Sequence, residues 1–189
     1  MDFDATYFNG ESGYKQYQNY PHFVARALWV SNNLQGKILE LGSAYGYLLE
    51  ELFNIDESIY IRGVDKSAFA KSQADLSIKD KIYTVDIANA DIQTQYDWII
   101  SWNVLDCLDS KAHAIVVANT LNSTRANQLH VLSMEGDKYR ELGYFIHDYT
   151  YWRSLLPNAI LICAECNKVY NPTEFKFSQI PLHSGKVTE

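Results

Sequence analysis

The parts of this sequence whose types and spacing could do chemistry are one turn of small residues and a set of carboxylates. Ile38-Leu39-Glu40-Leu41 is a short apolar run that stops at Gly42, and Ser43, Ala44 and Gly46 keep the following turn small. Small residues let a backbone approach a ligand closely. Asp65 closes the run 58–64, and Asp86 closes the run 82–85. Set on neighbouring strands, these groups fall where doubly wound sheets bind ligands, outside the carboxyl ends of the strands. One further residue could move a proton: His147, followed by Asp148, which could orient its ring. The other reading of that pair is a polar loop in which Asp148 caps the next helix. His22, His113, His130 and His183 have no sequence neighbour that suggests chemistry.

The elements that must position these residues alternate. Apolar runs at 38–41, 58–64, 82–85, 98–101, 128–133 and 159–164 read as strands, and 174–180 as a seventh. Helical periodicity appears at 23–30, 45–53, 67–74, 110–121 and 149–156. In the helix 110–121, Ala112, Ile115, Val116 and Leu121 are expected to face inward. This alternation predicts an α/β fold, doubly wound and Rossmann-like, with a mostly parallel seven-stranded sheet. No good helix separates the last two strands, so an antiparallel edge hairpin is expected. The first 33 residues hold seven aromatic rings between Phe3 and Phe23, and read as a helical lid or as a staple that packs onto the core. One domain is expected over 1–189, with the N-terminal segment at 1–33, the core at 37–181 and a tail at 182–189.

Composition removes other classes. A hydrophobic fraction of 47% argues against disorder. No stretch nears the roughly 20 apolar residues of a membrane span, and the acidic start Met1-Asp2-Phe3-Asp4 is unlike a secretory signal. Three cysteines, Cys107, Cys163 and Cys166, cannot all pair with one another, which points to a reducing, cytoplasmic setting. On a strand Cys163 and Cys166 would face opposite ways, against a metal or redox role. A net charge of −7 ranks nucleic acid below small metabolites as a partner.

The spacing around Gly42 does not fit the dinucleotide fingerprint G-x-G-x-x-G, which needs glycine where Ala44 and Tyr47 stand. It fits E-x-G-x-G-x-G with Glu40, Gly42, Ala44 in the middle slot and Gly46. Here the sequence resembles the first motif of the class I S-adenosylmethionine-dependent methyltransferases. The segment Trp98-Ile99-Ile100-Ser101-Trp102-Asn103-Val104-Leu105-Asp106-Cys107 resembles the family's fourth motif, with Asp106 at the acidic position and Cys107 in place of the usual histidine. Tyr7-Phe8-Asn9-Gly10 and Gly13-Tyr14-Lys15-Gln16-Tyr17 resemble the family's N-terminal lid.

The resemblance implies S-adenosyl-L-methionine as cofactor. The turn at Glu40, Gly42, Ser43, Ala44 and Gly46 would cradle the methionine part. Asp65 and Lys66 would meet the ribose, and Asp86 and Ile87 the adenine. Ser101 and Trp102 would line the pocket, with Tyr14 over it. Transfer from a sulfonium is an in-line displacement with a neutral leaving group, so positioning and water exclusion do most of the work. A base, with His147 as candidate, is needed only for an acceptor that must lose a proton. The sequence lacks N-P-P-Y and D-P-P-Y, since Val104 follows Asn103, and a small-molecule acceptor is expected. The alternative is a catalytically inactive relative that binds the nucleoside and serves as an interaction module.

Overall fold

A computed structural model describes residues 3–8, 22–90, 92, 96–134, 144–164 and 169–170. Its strands are β1 (Ile38–Leu41), β2 (Ile61–Asp65), β3 (Ile82–Thr84), β4 (Trp98–Trp102), β5 (Asn127–Leu132), β6 (Ile160–Cys163) and β7 (Val169–Tyr170). The helices are α1 (Ala5–Phe8), α2 (His22–Asn33), α3 (Tyr47–Ile55), α4 (Ala68–Gln73), α5 (Lys111–Asn122) and α6 (Tyr149–Leu155). The strands form one sheet in the order β3-β2-β1-β4-β5-β6-β7. All pairs are parallel except β6 with β7, which is antiparallel. The expected edge hairpin therefore exists, formed by Val169–Tyr170; the stretch 174–180 lies outside the described residues.

Both faces of the sheet are covered, which is why β1, β4 and β6 are buried along their whole length. Alternation sends Ile38, Ile100, Leu129 and Val131 to one side, against Phe23, Ala27 and Val30 of α2 and Leu48, Leu49 and Leu52 of α3. Leu39, Leu41, Ile99, Leu132 and Leu161 pack on the other, against α5 and the Trp152 of α6. His130 is a polar member of this second layer, with Ser101 and Gln128 beside it. Its Nδ1 lies 2.9 Å from Ser101 Oγ, and burial pushes its pKa down to about 3, so the ring is a neutral core group.

Two local expectations shift. The helix after β1 starts at Tyr47 rather than 45, because Gly42, Ala44 and Gly46 all take left-handed backbone and hold the chain in a turn. In α5 the inward stripe is Ala114, Val117, Ala118 and Leu121, while Ile115 and Val116 are 46% and 47% exposed. Ser110 caps this helix by accepting the His113 N–H, and Ala114 and Ala118 join the buried layer that holds Trp152 of α6. Small alanines face inward while the larger Ile115 and Val116 face outward, so side-chain hydrophobicity alone does not predict this rotation.

Candidate functional site

The strand order reverses between β1 and β4, since successive connections run to opposite sides of β1. At that switch point the loops diverge and leave a crevice at the carboxyl ends of the strands. A cleft opens there, and concave crevices of this kind are where small-molecule sites form. β1 supplies Gly42 and Ala44, β2 supplies Asp65 and Lys66, and the chain after β3 supplies Asp86 and Ile87. After β4 come Asn103, Val104, Cys107 and Leu108, with His113 from α5. Phe3, Tyr7 and Phe8 close one side.

The turn is built around Asp65. Its Oδ2 accepts the Ala44 N–H at 2.8 Å, and its Oδ1 accepts the Ser67 N–H at 2.8 Å. Burial raises its pKa, against the pull of those two donors and of Lys66. The Gly42 and Ser43 N–H groups both donate to the Val64 carbonyl, at 2.7 and 3.1 Å. The turn is thereby tied to β2 at three points. A carboxylate oxygen has two lone pairs, so Asp65 keeps acceptor capacity beyond its backbone donors. Ala44 and Asn103 are non-glycine residues at φ 49° and 53°, and both line the cleft. Strained backbone of this kind concentrates at ligand sites.

The N-terminal segment packs directly on this turn. Tyr7 and Phe8 of α1 are buried with Ala44, Tyr45 and Ala70. The Ser67 hydroxyl donates to the Phe3 carbonyl, and Lys66 Nζ lies 4.6 Å from the centre of the Phe3 ring. Tyr7 hydroxyl reaches the Tyr144 hydroxyl at 3.4 Å. The segment is thus both packing and wall. Cys107 Sγ lies 3.3 Å from the Asn103 carbonyl. Burial, with help from Asp106, pushes its pKa well above the ordinary thiol range, so it is a neutral wall of the cleft.

Six of the twelve expected cofactor contacts line the cleft: Gly42, Ala44, Asp65, Lys66, Asp86 and Ile87. Five others stand elsewhere or behind it. Ser43 is buried under the turn, and Gly46 caps α3 against Ile78 and Ile82. Ser101 turns to His130 in the core, and Trp102 packs under the Arg26 guanidinium at 5.3 Å. Tyr14 lies outside the described residues. His147 does not line the cleft; its ring stacks on Tyr151 at 4.0 Å between centroids. Asp148 accepts the Tyr151 N–H at 2.9 Å and caps α6, the second of the two readings offered for that pair.

His113 overturns its sequence reading. It lines the cleft, with Nε2 3.2 Å from Asp86 Oδ1 and Nδ1 3.5 Å from Asp109 Oδ2. The i,i+4 spacing of Asp109 and His113 was the available signal for one of those contacts. Val104 and Leu108 are apolar walls that no spacing rule singles out.

Glu40 lies behind the turn, 6% exposed, and its Oε2 has no hydrogen-bond partner among the described residues. Burial raises its pKa to about 8, with Arg26 opposing and Asp65 adding to the rise. A carboxyl raised in the folded state contributes stability below its unfolded value of 4.5, and that contribution is lost as pH rises through 8. Glu40→Gln is therefore expected to melt like the wild type near pH 4 and several degrees higher near pH 9. Thermal melts of both proteins across that range check the sign.

An open sheet with a carboxylate-edged cleft at its switch point defines a doubly wound α/β protein. No protein-family model matches the chain, and no curated protein resembles it in sequence. Solved structures do. The N-methyltransferase NodS of Bradyrhizobium japonicum, in complex with S-adenosyl-L-homocysteine, is similar with a TM-score of 0.55 at 18% identity, over 72% of this chain and 71% of that one. A putative O-methyltransferase of Nostoc punctiforme gives 0.55 at 13% identity, over 73% of this chain and 49% of that one. The magnesium protoporphyrin IX methyltransferase of Synechocystis, with bound S-adenosylmethionine, gives 0.51 at 17% identity, over 74% and 66%. This chain spans about half the length of the second of these. It has the fold of the class I S-adenosylmethionine-dependent methyltransferases. Among the described residues no helix is long and apolar enough to cross a membrane.

Proposed function

We propose that this protein is an S-adenosyl-L-methionine-dependent methyltransferase acting on a small-molecule acceptor. The observation that carries this reading is the cleft at the switch point, where the Gly42–Ala44 turn and the carboxylates of Asp65 and Asp86 stand together. These residues fit the cofactor. Gly42 keeps the turn open, Asp65 retains lone pairs for ribose hydroxyls, and Asp86 offers an acceptor to the adenine amine. The bound cofactor supplies a methyl group already activated on a sulfonium. The chain's part is to bind, align and exclude water: Tyr7 and Phe8 bury the turn, and aromatic faces favour a cation beside them.

The histidine that lines the cleft among the described residues, His113, is held by Asp86 and Asp109. Rate enhancement by positioning suffices for an acceptor that is already nucleophilic. The non-catalytic alternative predicts the same binding without turnover. Calorimetric titration with S-adenosylhomocysteine tests the binding; saturable uptake is expected, and no heat at millimolar ligand would sink the proposal. Transfer of labelled methyl from S-adenosylmethionine to a panel of small amines and phenols then separates enzyme from binding module.

A further inference from the structure

His113 joins two edges of the cleft in a way the cofactor reading does not require. Asp86 Oδ1 accepts the Ala88 N–H at 2.9 Å and also stands 3.2 Å from His113 Nε2. A carboxylate only accepts, so the imidazole donates from Nε2. On the other side of the ring, Nδ1 is 3.5 Å from Asp109 Oδ2, and Lys66 Nζ reaches that same oxygen at 3.8 Å. The ring is thus held between two carboxylates, at the start of α5, where its own N–H is capped by Ser110. The hydrogen bonds of Asp86 to described residues fall on Oδ1, and its side chain is one-third exposed. Ile87 and Leu108 give the neighbouring cleft wall its apolar character.

We infer that His113 is a positioning residue that sets base specificity: by occupying Asp86 Oδ1 together with Ala88, it fixes the carboxylate plane and leaves Oδ2 to take the amine of a 6-amino purine, against its 6-oxo counterpart. The inference rests on the cofactor reading above. Two donors from different elements, the turn Ile87–Asn89 and α5, fix a carboxylate's rotation where one backbone N–H leaves it to swing. An exocyclic amine then meets a lone pair. A 6-oxo group would set oxygen against oxygen, and a site built for a donor rejects a ligand that lacks it.

The test is calorimetry with S-adenosylhomocysteine and its 6-oxo analogue, S-inosylhomocysteine, on the wild type, His113→Leu and His113→Gln. The wild type is expected to prefer the amino ligand by about 30-fold or more, the range of one well-placed hydrogen bond to a charged group. His113→Leu should weaken the amino ligand about tenfold and the oxo ligand less than about twofold, so the preference shrinks. His113→Gln keeps an N–H donor and should restore most of the preference. Circular dichroism melts confirm that both variants fold. A preference unchanged in His113→Leu, whether both affinities fall together or neither does, overturns the role of His113 while leaving the cofactor reading standing. A wild type that binds neither ligand removes the cofactor reading, and this inference with it.

Discussion

Asp65→Ala is expected to raise the dissociation constant for S-adenosylhomocysteine by roughly 100-fold or more, the effect of losing two hydrogen bonds to a charged acceptor. The carboxylate has two duties. It accepts the N–H groups of Ala44 and Ser67, which hold the turn after β1 onto β2 and α4. It also offers its remaining lone pairs to the ribose hydroxyls under the proposed function. Removing it leaves two buried donors unsatisfied, at about 1–3 kcal/mol each, so the variant should also melt lower. A second ligand separates the duties. S-adenosylhomocysteine lacking one ribose hydroxyl should bind the wild type more weakly than the full ligand. Asp65→Ala should hardly tell the two apart, as expected when partners of one interaction are removed in turn. An unchanged affinity in Asp65→Ala would place the nucleoside elsewhere.

Gly42→Ala carries the second large effect. Gly42 sits at φ +66°, and a Cβ there would stand 2.3 Å from Val104 Cγ2 and 2.9 Å from Val104 Cγ1. The left-handed backbone costs an L-residue about 1–2 kcal/mol. The clash falls on a β-branched side chain that has little rotamer freedom to escape, and Val104 is itself a wall of the cleft. We expect a melting temperature several degrees lower and an affinity for S-adenosylhomocysteine down by about tenfold. Gly46→Ala is the control. Its Cβ would meet Ile78 Cδ1 at 2.6 Å and Ile82 Cδ1 at 2.7 Å, the flexible ends of core side chains away from the cleft. That variant should lose stability and keep most of its affinity. Equal affinity losses in both would mean that the turn acts only through overall stability.

Much of the lining of the cleft from β1, β2 and the chain after β3 is legible in the sequence itself. Asp65 and Asp86 stand where apolar runs end, and Gly42 and Ala44 stand where one run meets a helical period. Those are local signals, because a strand's end and a helix's start are written in adjacent residues. A proton-transfer group is less legible. His147 is a candidate by its place after the fifth strand and by the resemblance, with Asp148 beside it; Asp148 Oδ1 accepts the Tyr151 N–H and the His147 ring stacks on Tyr151. A histidine beside a carboxylate in sequence reads alike whether the carboxylate caps a helix or orients the ring.

By itself, then, the sequence determined the alternation of strands and helices, the antiparallel edge, and which carboxylates end which strands, because burial of both sheet faces imposes patterns a few residues long. Only the tertiary structure decided which rings close the cleft and which histidine enters it. Asp86 and His113 are 27 residues apart, and Tyr7 and Tyr144 are 137 apart. The rotation of α5, which brings His113 to the cleft and turns Ile115 and Val116 outward, places Ala114, Val117, Ala118 and Leu121 in one buried layer with Ile87, Ala90 and Trp152. Contacts between distant elements depend on packed shape, which the hydrophobic period of one helix does not encode.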